Sequence, residues 1–192
     1  MEINDILKAG HAWHCNVAPR SVDLLDTALA VAVDAHAGQV RKYTGEPYVT
    51  HPVAVARLVG DVFPDVDMIG AAYLHDVLED TDATAADLLN HGLGSSMVRL
   101  VQELTDVSKP EDGNRATRKA LDRAHTAAAS DRAKTVKLAD LLDNTRSIMV
   151  HDPNFAVVYM REKALLLDVL TEGNRELFVR ALSTVYLWEA CK

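Results

Sequence analysis

At 192 residues, with 48% hydrophobic and 25% charged side chains, the chain has the make-up of a protein that folds around a core, which excludes intrinsic disorder and a collagen-like fibre. Lys and Arg number 20 against 28 Asp and Glu, a formal net charge of −8. The general field therefore repels nucleic acid and anionic membrane, and an anionic ligand needs a local basic patch or a metal ion.

The length predicts one domain, over residues 21–192, preceded by an N-terminal segment 1–20. Two cysteines, Cys15 and Cys191, stand near opposite ends without a metal-type or disulfide spacing, which suits a reducing cytoplasm. The opening MEINDILKAGHAWHC mixes acids and histidines where a secretory signal would be basic and then apolar. The richest apolar stretches, 24–33 and 68–74, fall short of the ~18 residues that argue a membrane span.

In chain order, the first strong pattern is a helix over 21–36. Leu24, Leu25, Ala28, Leu29, Ala32 and Val33 recur at three- and four-residue steps behind Pro19 and a Ser21 cap. Residues 39–50, QVRKYTGEPYVT, break that period with Gly45 and Pro47 and read as a structured loop. A second helix opens at Pro52 and stops before Pro64, and a third runs continuously from 66 to 80. Thr84 followed by Asp87 resembles a capping box for a short helix ended by Gly92, and 97–104 is helical again.

Residues 107–114, with Pro110 and Gly113, read as a surface loop. Helices follow over 115–130, 134–150, 155–171 and 174–188. Period-two alternation is absent at useful length, so the expected fold class is all-α.

The densest chemical cluster is His75-Asp76 with Glu79-Asp80 one turn later, directly after the apolar run AAYL. On a continuous helix these four residues can address one pocket. A solvated acidic helix end is the plainer alternative. His51 stands where a helix should begin, and Asp140 sits inside VKLADLL, where an uncompensated carboxylate would be costly to bury. Asp140 either meets a cation, pairs with Lys137 or Arg146, or faces water. Together, His51, His75, Asp76 and Asp140 would offer two imidazoles and two carboxylates. This N/O set suits Mn²⁺, Fe²⁺ or Zn²⁺ better than Ca²⁺. Such an ion activates water and polarises a phosphoryl oxygen, the two requirements of phosphate-ester hydrolysis.

The order His51, His75-Asp76, Asp140 resembles the H…HD…D signature of HD-domain metal-dependent phosphohydrolases. More specifically, RKYTGEPYVTHP, AAYLHDVLEDT and VKLADLLDN are similar to the hydrolase domain of the RelA/SpoT alarmone enzymes. The resemblance implies an all-helical HD bundle and a Mn²⁺ cofactor. The implied reaction removes the 3′-pyrophosphate of guanosine tetra- or pentaphosphate (ppGpp, pppGpp), giving GDP or GTP. At this length it implies the stand-alone, hydrolase-only type, like the metazoan SpoT homologue, without a synthetase domain. Carried over by position, His51, His75, Asp76 and Asp140 are metal ligands, and Glu79 and Asp80 are the catalytic carboxylates. Arg41, Lys42, Lys137, Asn144 and Ser147 contact the nucleotide.

One departure concerns the base pocket: bifunctional relatives read KLADRLHN, and Leu141 and Asp143 stand here for the Arg and His. An adenine alarmone (ppApp), NADPH or a nucleoside monophosphate is therefore an alternative substrate. A nucleotide sensor with an idle metal site is the alternative outside enzymology. His11, His14 and Cys15 read as a frayed terminus with a packed Trp13 rather than a metal site. His36, His91, His125 and His151 read as ordinary helix-end or exposed histidines. The expected partner is a small nucleotide, with no nucleic acid or membrane, and protein partners are not specified.

Overall fold

In a computed structural model, which describes residues 2–190, eleven α-helices and two short 3₁₀ turns account for the regular structure of the described residues, and β-structure reduces to one bridge, Val40 to Pro47. Cys191 lies outside the described residues. The chain divides into two compact units between Thr105 and Asp106, each taken in turn.

The first unit begins with α1 (Ile3–Val17), a regular helix that buries Ile6, Gly10 and His14. The N-terminal segment is thus ordered rather than frayed, because its apolar stripe has a partner: α1 packs on α2 (Val22–Ala35). Trp13 is packed as expected, against Gly60. Helix α2 follows a 3₁₀ turn at Pro19–Ser21, and Ser21 makes no side-chain cap. That turn supplies the entry geometry instead.

Helix α3 (Thr50–Val62) starts two residues earlier than its proline suggested and takes His51 into its first turn. Pro52 is tolerated there because first-turn amides have no helical acceptor. Helix α4 (Val66–Leu74) is capped by Asp65, which accepts from the Met68 amide at 3.0 Å. Expected to continue to residue 80, it stops at His75-Asp76, and α5 (Val77–Asp80) begins afresh. The break coincides with His75 Nδ1 donating to the Ala72 carbonyl at 2.8 Å, a side-chain claim on an acceptor of the last turn.

The capping box forms as read: Thr84 N meets Asp87 Oδ2 at 2.8 Å and Asp87 N meets Thr84 Oγ1 at 3.3 Å, opening α6 (Ala85–Asn90). Gly92 follows with φ +80°, and α7 (Ser95–Leu104) closes the unit. Helices α2, α3 and α7 pack around α4, whose residues 68–74 are all buried.

The second unit starts with the expected loop, drawn in by Ser108, whose N and Oγ donate to Asp122 at 2.9 and 3.0 Å. It contains α8 (Arg115–Ala128), α9 (Asp131–His151), α10 (Pro153–Leu167) and α11 (Arg175–Ala190). Asn114, Ser130 and Asp152 cap α8, α9 and α10 by accepting amide bonds from the first turn. Asn174, expected inside the last helix, caps it by accepting from Glu176 N and Leu177 N. Leu138, Met160, Leu177 and Val185 are buried as α9, α10 and α11 pack together. Among the described residues no helix is long and apolar enough to cross a membrane.

Candidate metal centre

Three of the four expected ligands come together in the first unit. His51, His75 and Asp76 each offer a ligand atom, all within 4.8 Å of one another. His75 Nε2 lies 3.2 Å and His51 Nε2 3.7 Å from Asp76 Oδ2, and the two imidazole centroids are 5.1 Å apart. Both histidines are 2% exposed.

The donor chemistry fits a divalent cation. With Nδ1–H of His75 engaged by the Ala72 carbonyl, the neutral ring keeps its lone pair on Nε2, the nitrogen that faces Asp76. Two imidazoles and a carboxylate, already converged and partly dried, are a nitrogen and oxygen set for a first-row metal.

The loop before α3 shapes one side of this cluster. Arg41 N donates to Glu46 O at 2.8 Å and Tyr48 N to Gln39 O at 2.9 Å, and Gly45 turns the chain at φ +70°. Arg41 and Lys42 lie at its tip, with Lys42 Nζ 4.9 Å from the Tyr43 ring centre. Tyr48 donates to Asp76 Oδ2 at 2.6 Å, a role that sequence reading missed although Tyr48 lies inside the RKYTGEPYVTHP motif. His36, read as ordinary, is buried at the end of α2; its Nδ1 meets Gln39 Oε1 at 2.8 Å and its ring lies 4.8 Å from that of Tyr48.

Glu79 and Asp80 follow on α5 and line an open, polar surface with Gln39 and Asp82. Gln39 Nε2 donates to the Asp80 carbonyl at 3.2 Å. Though Asp80 is solvent-accessible, partial burial and the neighbouring Asp76 charge hold its carboxyl above the usual range, against the opposing pull of Tyr48, His36 and His75. Since α4 ends at Leu74, the face that joins these carboxylates to the ligands is set by a helix break rather than by one continuous helix.

In the second unit, α9 carries Lys137, Asp140, Asn144 and Ser147. Asp140 is 7% exposed and accepts from Asn144 Nδ2 at 2.6 Å, with Lys137 Nζ at 3.7 Å. Of the two cations weighed as its partner, Lys137 is therefore the one beside it, and Arg146 is exposed. Ser147 accepts from His151 Nδ1 through its carbonyl at 2.9 Å. Leu141, one of the two departures from the RelA/SpoT pattern, is 1% exposed and belongs to the core.

A cavity of about 160 Å³ in this unit brings Arg115, Lys119, Arg123, Lys137 and Lys163 together with Asp106, Asp122 and Glu162. Apart from Lys137, these cations escaped sequence reading: Arg115, Lys119 and Arg123 recur every four residues along α8, but nothing local relates that face to Lys137 of α9 or Lys163 of α10. Arg115 holds Glu162 through two bonds of 2.6 and 2.8 Å, and Lys119 meets Asp106 at 2.6 Å. Burial lowers the Lys163 pKa against the pull of Asp140, and Lys137 and Lys119 lower it further.

A family model described as HD domain matches residues 28–170. The chain belongs to the HD-domain family. Within it, this HD-domain protein is homologous to the SpoT/RelA hydrolase domain. It is 39% identical over 130 residues to guanosine-3′,5′-bis(diphosphate) 3′-pyrophosphohydrolase of Vibrio cholerae, covering 66% of this chain and 18% of that protein. Against the probable enzyme of the same name from Synechocystis it is 41% identical over 133 residues, covering 68% and 17%. The chain thus spans less than a fifth of the length of these curated relatives. A solved structure of a metazoan ortholog of SpoT, a protein that hydrolyzes ppGpp and plays a role in starvation responses, superimposes with TM-score 0.75 at 32% identity. That match covers 83% of this chain and 92% of the other.

Proposed function

We propose that this HD-domain protein is a Mn²⁺-dependent hydrolase that removes the 3′-pyrophosphate of ppGpp or pppGpp, yielding GDP or GTP and pyrophosphate. The observation that carries the reading is the convergence of His51, His75 and Asp76 within 4.8 Å, with Glu79 and Asp80 on the next helix. Likeness to the metazoan SpoT ortholog supports the substrate class. We further propose that residues 21–192 act as one hydrolase domain, since the family match crosses the boundary between the two units.

His51, His75 and Asp76, with Asp140 as the fourth ligand, would hold the ion. Mn²⁺ is the proposed metal, and Fe²⁺ or Zn²⁺ would suit the same donors. When bound, the ion supplies Lewis acidity at the phosphoryl oxygen and favours ionisation of water. Tyr48 orients the Asp76 carboxylate by donating to Oδ2. One of Glu79 and Asp80 orients or deprotonates the water that attacks the 3′ phosphorus, and the ribose 3′-oxygen, as its bond to phosphorus breaks, takes a proton from the other or from solvent. Arg41 and Lys42 contact the nucleotide from the loop tip, while Lys137, Asn144 and Ser147 contribute from α9. The proposed setting is a reducing cytoplasm, and the proposed partner is the small nucleotide, with no nucleic acid or membrane.

Leu141 and Asp143 favour a second reading, in which the relaxed base pocket also takes ppApp, NADPH or a nucleoside monophosphate. The test is a chromatographic assay of metal-stripped protein, with and without Mn²⁺, on ppGpp, ppApp, NADPH and 5′-monophosphates. Mn²⁺-dependent release of GDP and pyrophosphate, lost in Asp76→Ala, is the expected result. Turnover of NADPH or monophosphates alone would discard the alarmone reading, and tight ppGpp binding with no turnover of any substrate would leave a sensor.

A further inference from the structure

Helix α1 lies wholly before residue 28, where the HD-domain match begins, yet it touches both α3, which carries His51, and α4, which leads directly into His75-Asp76. On the α3 side, the Trp13 ring packs so closely against Gly60 that an added Cβ would stand 2.7 Å from it. On the α4 side, His14 Nε2 lies 2.8 Å from the Tyr73 hydroxyl, and the two rings meet edge to face at 5.6 Å. His14 and Tyr73 are both 0% exposed.

The hydrogen positions follow from the partners. Asp26 on α2 takes Nδ1 of His14 at 2.6 Å and Nδ1 of His11 at 2.5 Å through its two oxygens. A carboxylate only accepts, so the His14 proton sits on Nδ1, and Nε2 is left to accept from the Tyr73 O–H. Burial, working against Asp26, lowers the His14 pKa and keeps the ring neutral, as this pattern requires. Tyr73 in turn shares a peptide group with Ala72, whose carbonyl receives Nδ1–H of His75 at 2.8 Å. A continuous path therefore runs from Asp26 through His14, Tyr73 and the 72–73 peptide to the imidazole whose Nε2 faces the metal-holding cluster.

We propose that His14 and Tyr73 are positioning residues for His75. Helix α1 is a brace, and its His14–Tyr73 hydrogen bond fixes the end of α4 so that the His75 imidazole keeps the tautomer and direction a metal needs. The inference rests on the proposed metal-holding role of His75. Neither residue touches the ion or the substrate.

The test compares the full-length protein with Tyr73→Phe, which keeps the ring and deletes only the hydroxyl. It adds His14→Leu, which cannot accept the bond, and His14→Gln, whose amide oxygen can. Mn²⁺ dissociation constants are measured by titration with the metal alone, beside melting curves and ¹⁵N-histidine spectra of the metal-free forms. The expected result is Mn²⁺ binding about tenfold weaker in Tyr73→Phe and His14→Leu, the low end for partners of metal ligands, with near wild-type affinity in His14→Gln. The His75 ¹⁵N signals should move in the first two variants, and saturating Mn²⁺ should restore kcat. Lower melting temperatures with wild-type Mn²⁺ affinity in Tyr73→Phe would overturn the proposal, leaving α1 a merely stabilising helix. Absence of Mn²⁺ binding in the wild-type protein would instead overturn the metal-centre reading, and this inference with it.

Discussion

The Tyr48 hydroxyl stands 2.6 Å from Asp76 Oδ2, the oxygen that also faces Nε2 of His51 and His75. One phenol thus holds the carboxylate around which the candidate metal centre is arranged. It reaches there from the loop that also presents Arg41 and Lys42.

Tyr48→Phe removes that donor without removing the ring that packs near His36 and His51. Mn²⁺ affinity should fall roughly 10- to 100-fold, as for other hydrogen-bond partners of metal ligands, while the far-ultraviolet circular dichroism stays unchanged. Isothermal titration with Mn²⁺ measures this directly, and unaltered affinity would separate Tyr48 from the metal centre.

Metal binding should also be visible as stability. An ion that binds only the folded state at 100 times its dissociation constant adds about 2.7 kcal/mol, raising the melting temperature. Excess EDTA should reverse the shift. His75→Ala should show none of it, because an essential donor is gone.

Gly60→Ala sets two effects against each other. Alanine favours a helix by about 1 kcal/mol over glycine. Here, however, its Cβ meets the rigid Trp13 ring at 2.7 Å, and overpacking of this kind costs about 1–3 kcal/mol. The ring cannot yield as a flexible chain would, so net destabilisation is expected in urea unfolding, together with a shift of tryptophan fluorescence.

The pH dependence of stability follows from His14. Burial holds its pKa below the ordinary value, although Asp26 pulls the other way. As pH falls through about 6.5, the unfolded chain takes up a proton that the folded one refuses, so this group's contribution is lost on acidification. It is fully present above that pH. In His14→Gln the decline as pH falls below about 6.5 should be shallower than in wild type, a comparison that equilibrium unfolding at several pH values makes.

What the sequence by itself determined lies in short-range spacing and residue chemistry. The stripe from Leu24 to Val33 made α2, Thr84 and Asp87 made a capping box, and the apolar neighbours of Asp140 marked it as a carboxylate that needs a partner if buried, as it is. His51, His75 and Asp76 were legible as candidate ligands because few other side chains can serve a metal. Tertiary structure alone decided where α4 breaks, that His14 is buried, and which hydroxyl meets Asp76. Tyr48 and Asp76 are 28 residues apart and His14 and Tyr73 are 59 apart, so no helical period relates them. Ser21 makes the same point in reverse: a good capping residue goes unused where the incoming chain already turns through Pro19–Ser21. Local propensity chooses elements, whereas the partner of a buried polar atom is chosen by whichever distant helix closes over it.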